Sequence, residues 1–290
     1  MSTTTRRPGP PQLTDAYLAA KIREALDEDL GPDRHDVTTE AVVPASLQAE
    51  AEVLVKAPGV LAGGPIAAEV FRQVDPAIEL ERLLPDGAVV EERQVVIRVR
   101  GSLRSLLEAE RTALNLLQQL SGIATLTRRY VEQAPGVAVL DTRKTAAGLR
   151  PLQRYAVAMG GGVNHRYNLR DAVLVKDNHV AAAGGTAAAI RLARRSGLPV
   201  EVEVETLDEL ESALAEGAEA VLLDNMSPQL VEEAVRRTEG RAKLEVSGGV
   251  SLATIGAYAA TGVDRISIGA LTHSAPALDI SMEVTRTWQS

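Results

Sequence analysis

The stretch VEVEVETLDELESALAEGAEAVLLDN, residues 200–225, shows one unit of the repeat from which the fold is predicted. Its alternating run Val200–Val204 ends at Glu205, and its apolar run Ala220–Leu223 ends at Asp224. Short β-prone runs of this kind recur through the second half of the chain, and each leads into polar or glycine residues. Alternating β/α units with functional groups at the carboxyl ends of the strands are typical of an α/β-barrel active site.

The ends of these runs differ in chemistry along the chain. Cations come first, and carboxylates and glycines come later, so the predicted site suits an anionic substrate, a divalent metal and a phosphate. About six strands are predicted, whereas the commonest barrel has eight, so we expect a smaller or open barrel. The run ends are, in chain order, Asp141-Thr142-Arg143-Lys144, Lys176-Asp177-Asn178, Glu205, Asp224-Asn225, Ser247-Gly248-Gly249 and Gly269-Ala270.

The composition limits the function classes. The chain has 290 residues, of which 45% are hydrophobic, 24% charged and 2% aromatic, and it has no cysteine. The net charge of -8 and the scarcity of aromatic rings argue against a nucleic-acid partner. Without cysteine, disulfides, thiolate catalysis and iron–sulfur clusters are excluded.

The sequence gives no indication of a membrane partner. No apolar run reaches the roughly 18 residues of a membrane span. Residues 1–12 include Arg6 and Arg7 but no apolar stretch behind them, so they predict a disordered tail rather than a signal peptide. We therefore predict a cytoplasmic protein.

Two domains are predicted beyond the tail. Residues 13–115 form a small α+β domain with a mainly antiparallel sheet, onto which residues 275–290 pack, and residues 116–274 form the barrel. A long helical stretch runs from Ser102 to about Gln133, and Ser121-Gly122 is predicted to break it into two helices. The small domain is predicted to contain helices at 15–29 and 64–74, a loop at 31–44, and strands at 49–56, 77–83 and 89–100.

Two pairs of basic residues bracket a glycine-rich turn. Arg143-Lys144 follows one strand, and His165-Arg166 comes after Gly160–Gly162. Such cations repel one another unless anions lie between them; arginine binds carboxylates through a bidentate fork, while lysine acts as a point charge for phosphate. The functional interpretation is a pocket for a polyanionic ligand such as a dicarboxylate. The alternative is that each cation pairs with an acid on a neighbouring helix.

Glu205 and Asp224 end successive strands and could share one divalent cation. Two carboxylates, completed by substrate oxygens and water, are a typical way to hold Mg²⁺ beside phosphates. The alternative is that each acid caps the helix that follows it, which is easier for Asp224, before Ser227-Pro228, than for Glu205.

Glycine turns follow the last two predicted strands, at Ser247-Gly248-Gly249 and at Gly269-Ala270. Barrels commonly bind a phosphate at this position through backbone N–H groups, because glycine lets the backbone approach the oxygens closely. One such pair is more often an ordinary turn, whereas two at adjacent strand ends favour a phosphate site. Nucleotide binding through a Walker or dinucleotide glycine motif is not indicated, since neither pattern is present.

These motifs resemble the signatures of the quinolinate phosphoribosyltransferases, also called nicotinate-nucleotide pyrophosphorylases (carboxylating). The resemblance covers almost the whole chain from about residue 15 and leaves out the tail to Gln12. The matching segments are Glu28-Asp29-Leu30-Gly31, Asp36-Val37-Thr38-Thr39, Glu110–Asn115, Asp141–Thr145, Gly160–Arg166, Lys176–His179, Leu223–Met226 and Glu245–Gly249.

The resemblance implies an α/β fold in which a small sandwich-like α+β domain packs on an incomplete barrel. It implies at least a homodimer, with each active site completed by its neighbour. The implied reaction transfers 5-phosphoribosyl from phosphoribosyl pyrophosphate to quinolinate, releasing carbon dioxide and pyrophosphate and giving nicotinate mononucleotide for de novo NAD biosynthesis. Mg²⁺ is the implied metal, and no organic cofactor is expected.

The resemblance also implies roles for the cations. Arg143, His165 and Arg166 would hold the quinolinate carboxylates. Arg111 would reach in from the partner subunit, a role that no feature of the sequence pattern itself indicates.

For the phosphoribosyl donor, the resemblance places Lys144 and Lys176 beside the ribosyl group and the ring. Glu205 and Asp224 would bind the donor hydroxyls and Mg²⁺. The 5-phosphate would lie on the two glycine turns, at Ser247, Gly248, Gly249 and Gly269.

Other functions remain open from the sequence. A paralogue such as the molybdenum-locus pyrophosphorylase-like protein or a nicotinate phosphoribosyltransferase would keep the phosphate turns but need fewer carboxylate-binding cations. A Schiff-base aldolase would need a desolvated lysine, whereas Lys144 and Lys176 both sit among polar residues. A non-catalytic anion-binding barrel would bind ligand without turnover.

Overall fold

The computed structural model describes residues 13–289, so the predicted tail, residues 1–12, lies outside the described residues. Those described residues divide into two compact units. The first contains residues 13–126, 151–161 and 275–289, and the second contains residues 127–150 and 162–274. The predicted domain boundary after Asn115 falls inside the first unit.

Helices and strands alternate along most of the chain. The N-terminal part contains α1 (Asp15–Leu30), α2 (Val37–Val42), β1 (Leu47–Val55), β2 (Gly59–Val60), α3 (Gly64–Val74), β3 (Glu79–Arg82), β4 (Val89–Val90), β5 (Val95–Ser102) and α4 (Leu103–Gln133). The elements that follow are β6 (Ala138–Leu140), α5 (Arg150–Met159), β7 (Val173–Val175), α6 (Asp177–Ala183), α7 (Thr186–Arg194), β8 (Val200–Val204), α8 (Leu207–Ala215), β9 (Ala220–Asp224), α9 (Pro228–Thr238), β10 (Lys243–Ser247), α10 (Ile255–Ala259), β11 (Arg265–Ser267), α11 (Ala270–His273) and β12 (Ile280–Gln289).

The first unit contains a four-stranded sheet with the strand order β12-β1-β5-β3, and all three of its pairings are antiparallel. On β1 the residues at alternate positions are fully buried, which is the pattern of a strand with one face on a core. The C-terminal strand β12 pairs with β1 along its whole length, from Leu47 opposite Gln289 to Val55 opposite Ile280.

Two predictions for the first unit are wrong. The segment predicted as a loop, 31–44, contains the short helix α2, because the Asp36 carboxylate accepts hydrogen bonds from the backbone N–H groups of Thr38 and Thr39. The run 89–100 is not one strand; β4 and β5 are separated by a turn in which Arg93 has a φ of 67°.

The predicted break at Ser121-Gly122 is also wrong, since α4 is one helix of 31 residues. Ser121 Oγ is hydrogen bonded to both backbone groups of Ala62, and a Cβ on Gly122 would lie 2.1 Å from the carbonyl oxygen of Pro276. The two small residues therefore allow other segments of the first unit to pack closely against a continuous helix.

The second unit contains a six-stranded sheet with the strand order β6-β11-β10-β9-β8-β7, and every pairing in it is parallel. β6 and β7 lie at its two edges, and an isolated bridge joins Leu140 of β6 to Val163. The predicted α/β fold, with six parallel strands in place of eight and a small antiparallel sheet in the N-terminal part, is confirmed.

The two faces of the parallel sheet differ in polarity. On β8, Val202 and Val204 are buried and lie on the apolar face. Glu201 and Glu203 lie on the opposite face, as do their register partners Ala220 and Leu222 on β9. The face that carries Glu201 and Glu203 is called the polar face of the sheet, and it also carries the charged groups described below.

The helices of residues 13–289 include none with the length and apolar character of a membrane span.

Candidate active site

The carboxyl ends of the parallel strands bring the predicted acids and glycines to one edge of the sheet. β8 pairs with β9 up to Val204 opposite Leu223, so Glu205 and Asp224 follow at neighbouring strand ends. Asp224 lies opposite Ser247 in the pairing of β9 with β10. β10 in turn pairs with β11, after which Gly269 begins the last turn of the set.

The loop that carries His165 is held by a buried carboxylate. Asp141 follows β6 and is fully buried. Its Oδ1 accepts a hydrogen bond from the backbone N–H of His165 at 2.7 Å, and its Oδ2 accepts one from the amide of Asn164 at 2.6 Å. Together with the bridge between Leu140 and Val163, these bonds fix the loop beside the edge strand β6.

His165 reaches the polar face of the sheet. Its Nε2 lies 3.2 Å from Glu201 Oε2 on β8 and 3.3 Å from Glu245 Oε1 on β10. Burial disfavours the charged imidazole, but the two carboxylates outweigh this effect and raise the pKa of His165 to about 10. The Nε2 edge therefore faces two acids of the protein itself.

Arg143 and Arg166 lie close enough to affect one another. Burial, and next the Arg143 guanidinium, lower the pKa of Arg166. One guanidinium nitrogen of Arg166 donates to the carbonyl oxygen of Ala172 at 3.0 Å. The Nε of Arg143 is buried and makes no hydrogen bond. Two arginines close enough to interact, one of them with a buried donor that has no partner, are a candidate site for an anion.

The two candidate lysines have different surroundings. Lys176 is half exposed and forms an ion pair with Glu203, whose side chain is 10% exposed. The Lys144 side chain runs over Gly269, where an added Cβ would lie 3.0 Å from Lys144 Cδ. The hydroxyl of Thr272 donates to the Lys144 carbonyl oxygen at 2.7 Å. Lys144 is thereby placed beside the last glycine turn.

Glu205 and Asp224 have carboxylates available for a ligand. Within residues 13–289 neither acid forms an ion pair, and Asp224 Oδ2 accepts a hydrogen bond from the side chain of Asn225 at 2.7 Å. The α8 cap is made by Thr206, and the α9 cap by Ser227, so capping does not occupy either acid. Two such carboxylates at neighbouring strand ends fit the ligand set of Mg²⁺.

The first glycine turn has a conformation that only glycine adopts readily. Gly248 and Gly249 have φ values of 91° and 62°. A Cβ on Gly248 would lie 2.1 Å from Oδ1 of Asn225, so this position has no room for a side chain, whereas Gly249 faces open space. The backbone of the turn is therefore open to a ligand at Gly249 and closely packed at Gly248.

Arg111 belongs to the first unit. It lies on α4, its side chain is 59% exposed, and its guanidinium is 4.0 Å from Glu110. The remaining predicted site residues all lie in the second unit.

The sequence did not predict the acids that contact the cationic residues and the His165 loop. Asp141, Glu201, Glu203 and Glu245 all contact a predicted site residue or its loop. Two of them, Glu201 and Glu203, alternate with valine along β8. That alternation indicates that both lie on one face of the strand, but not which residues they contact. Nothing in the spacing of His165 indicated that its ring would lie between two strands.

Two family models together match most of the chain. The family model for the quinolinate phosphoribosyl transferase C-terminal domain matches residues 123–283, and the model for the N-terminal domain matches residues 36–121. The chain is 45% identical over 273 residues to the nicotinate-nucleotide pyrophosphorylase [carboxylating] of Mycobacterium leprae, covering 91% of this chain and 95% of that protein.

Two further relatives extend the match. A probable nicotinate-nucleotide pyrophosphorylase [carboxylating] of Bacillus subtilis is 40% identical over 268 residues, covering 91% of this chain and 92% of that protein. The solved structure of the nicotinate-nucleotide pyrophosphorylase from Francisella tularensis superposes with a TM-score of 0.91 at 39% identity, covering 96% of this chain and 99% of that one.

The fold defines an α/β protein with a six-stranded parallel sheet and a small antiparallel sheet domain. The chain belongs to the quinolinate phosphoribosyl transferase family.

Proposed function

We propose that the protein transfers the 5-phosphoribosyl group of phosphoribosyl pyrophosphate to the ring nitrogen of quinolinate, and that the product loses carbon dioxide to give nicotinate mononucleotide in NAD biosynthesis. The observation that carries the proposal is the grouping of cations, carboxylates and glycine turns at one edge of the parallel sheet. The names of the relatives in Mycobacterium leprae and Bacillus subtilis support it.

In this proposal the cation pair binds the acceptor. Quinolinate has two carboxylates and a weakly nucleophilic ring nitrogen, so it must be both held and oriented. Arg143, Arg166 and His165 take the carboxylates, and the buried Nε of Arg143 gains the partner that it lacks. Orientation of this kind contributes on the order of 7–11 kcal/mol to a bimolecular step.

The donor occupies the strand ends on the other side of the proposed site. Glu205 and Asp224 hold the ribosyl hydroxyls and Mg²⁺, while the backbone at Ser247, Gly248–Gly249 and Gly269 takes the 5-phosphate. When bound, Mg²⁺ neutralises charge on the pyrophosphate group.

Bond changes follow from these positions. The ring nitrogen forms a bond to the anomeric carbon of the ribosyl group as pyrophosphate departs, with Lys144 and Lys176 near the charge that develops. The C2 carboxylate then leaves as carbon dioxide, the pyridinium accepts the electron pair, and C2 takes up a proton. No organic cofactor is required for this sequence, because the electron sink is the substrate ring itself.

The proposal includes a shared active site in a homodimer or larger homo-oligomer. Arg111 is exposed on α4, as a residue that serves a neighbouring subunit must be. The cytoplasmic location predicted from the sequence stays a prediction.

The test is incubation of the purified protein with phosphoribosyl pyrophosphate, Mg²⁺ and either quinolinate or nicotinate, with nicotinate mononucleotide followed by mass. Product from quinolinate alone is the expected result. Product from nicotinate would instead identify a phosphoribosyltransferase for a monocarboxylate. Quinolinate binding without product would identify a non-catalytic anion-binding barrel.

A further inference from the structure

His165 lies in a pocket of negative charge that the proposed reaction does not explain. The Glu245 side chain is 1% exposed, the Glu201 side chain 11% and the His165 side chain 14%. Within the described part of the chain, no lysine or arginine lies within ion-pairing distance of either acid. Glu201 Oε1 and both carboxylate oxygens of Glu245 are buried without a hydrogen bond of good geometry. A positive charge beside two buried carboxylates of this kind stabilises their ionised form.

The opposite edge of the ring faces the backbone of the next residue. His165 Nδ1 lies 2.7 Å from the backbone nitrogen of Arg166, whose N–H points at it. A neutral ring with its proton on Nε2 would accept that hydrogen bond. A ring protonated on both nitrogens places two N–H groups side by side, and such a pair repels unless one anion accepts from both.

These two contacts favour opposite protonation states of the ring, and the contact with the buried acids has the stronger effect. An imidazolium stabilises negative charge on both acids, and the Arg166 guanidinium acts on Glu201 only from beyond ion-pairing distance, whereas the Nδ1 contact is a single hydrogen bond between neighbours in sequence. The raised pKa of His165 agrees with this conclusion.

We propose that Glu201 and Glu245 are positioning residues that keep His165 an imidazolium, so that its Nδ1–H and the backbone N–H of Arg166 form a paired donor for one carboxylate oxygen of the acceptor. The last part rests on the proposed function, since the acceptor is taken to be quinolinate. The first part, the charge of the ring, does not depend on it.

The charges around the ring are compatible with this role. Asp141, on the loop after β6, accepts from the backbone N–H of His165 and holds the ring over the sheet. Glu201 on β8 and Glu245 on β10 face Nε2. Arg166, with Arg143 beside it, adds positive charge near the Nδ1 edge. The ring is therefore placed between protein anions on one edge and further cations near the other.

The ring charge is measured directly by NMR of protein labelled with ¹³C at the histidine Cε1. The chain has four histidines, and the variant His165→Gln assigns the signal. We expect the His165 signal to stay at the imidazolium position up to at least about pH 8, well above the value near 6.5 of an unperturbed ring. In Glu245→Gln it should move towards the neutral position at the same pH.

Two NMR results overturn the proposal. One is a neutral His165 ring below about pH 8 in the unmodified protein, in either tautomer. The other is a His165 signal that moves when EDTA is added to the purified protein, because three ligand atoms this close together also suit a divalent metal.

Kinetics test the consequence for the acceptor. We expect Glu245→Gln to raise the KM for quinolinate on the order of tenfold and to make this KM rise further with pH. The reason is that the donor lost when the His165 ring becomes neutral, its Nδ1–H, is a charged one. The KM for phosphoribosyl pyrophosphate should stay within about twofold. The matched control is Glu216→Gln, which removes an acid paired with Arg191 on the surface of the same unit.

The results separate the two proposals. An unmodified protein that does not turn quinolinate over contradicts the proposed function, while the NMR experiment still decides the charge of the ring. An active protein whose Glu245→Gln variant keeps the quinolinate KM and pH profile contradicts the positioning role. Circular dichroism checks the fold of each variant, and Glu201→Gln, at the less buried acid, replaces Glu245→Gln if that variant does not fold.

Discussion

Arg143 is the residue whose surroundings point most directly to a ligand. Its Nε is buried and has no hydrogen-bond partner, and Arg166 lies near it with a lowered pKa. A buried donor without a partner costs about 1–3 kcal/mol, and more when the group is charged. An anion that accepts a hydrogen bond from this Nε removes that cost, which adds to its affinity.

The substitution Arg143→Lys keeps the charge and removes the fork-shaped donor. We expect the KM for quinolinate to rise on the order of tenfold or more, since a bidentate contact becomes a single one. Steady-state kinetics with quinolinate as the varied substrate measure the effect. Arg191→Lys, at a surface ion pair with Glu216, should leave the KM unchanged. Equal KM values for Arg143→Lys and the unmodified protein would remove Arg143 from the acceptor site.

The raised pKa of His165 predicts a pH-dependent stability. A group with a raised folded pKa contributes stability that is fully present below its unfolded pKa, near 6.5, and lost as the pH rises through its folded value, about 10. The difference in free energy of unfolding between the unmodified protein and His165→Gln should therefore shrink steadily between about pH 6.5 and pH 10. Urea unfolding of both proteins at several pH values in that window measures it; a constant difference would mean that the ring carries no extra charge.

The sequence alone predicts the location of a site residue when that location depends only on the residue's own position after a strand. Glu205, Asp224 and Gly248 follow strands, and the ends of parallel strands meet at one edge, so their grouping could be predicted. The contacts of His165 with Glu201 and Glu245 could not, because they cross the polar face between strands that are distant in sequence.

At the scale of elements, the long helix α4 illustrates how packing overrides local preference. Ser and Gly at neighbouring positions predict a break, yet the helix continues through both. The reason is outside the helix: the segment at Pro276 approaches Gly122, and Ser121 bonds to the backbone of Ala62. A sequence pattern within one element contains no information on such neighbours, whereas the 3.6-residue period of the whole stretch did predict a helix.

The substitution Gly122→Ala tests that account. Alanine favours a helix over glycine by up to about 1 kcal/mol, but its Cβ would lie 2.1 Å from the Pro276 carbonyl oxygen, so we expect a net loss of about 1–3 kcal/mol. The control is Gly256→Ala in α10, where the nearest atom to the Cβ is at 3.7 Å and the effect should be neutral or stabilising. Thermal unfolding of both variants decides it, and similar Tm changes would contradict the close approach.

At the scale of the whole molecule, the C-terminal strand β12 belongs to the sheet of the first unit. It pairs with β1 over nine positions of that strand, so residues from the two ends of the chain complete one core. The packing of residues 275–290 on the small domain was predicted, but the pairing of β12 with β1 has no signal in the sequence pattern, because β12 is mostly exposed and lacks a regular apolar alternation.

Two residues of β12 test how far this strand contributes to stability. Ile280 is 2% exposed and Val284 is 42% exposed. Ile280→Ala should lower the free energy of unfolding by about 2–4 kcal/mol, and Val284→Ala by less than about 1 kcal/mol. Chemical unfolding of both variants measures the difference. A small effect at Ile280 would mean that the strand docks on a core that is already complete.

The parallel sheet has two edge strands rather than a closed circle of hydrogen bonds, and an edge strand is a template on which foreign chains can add. β6 and β7 each have three residues, and the bridge from Val163 occupies part of the outer side of β6. Edges this short offer an incoming strand few backbone groups to pair with. The two edges of the open sheet are therefore poor templates for edge-to-edge association.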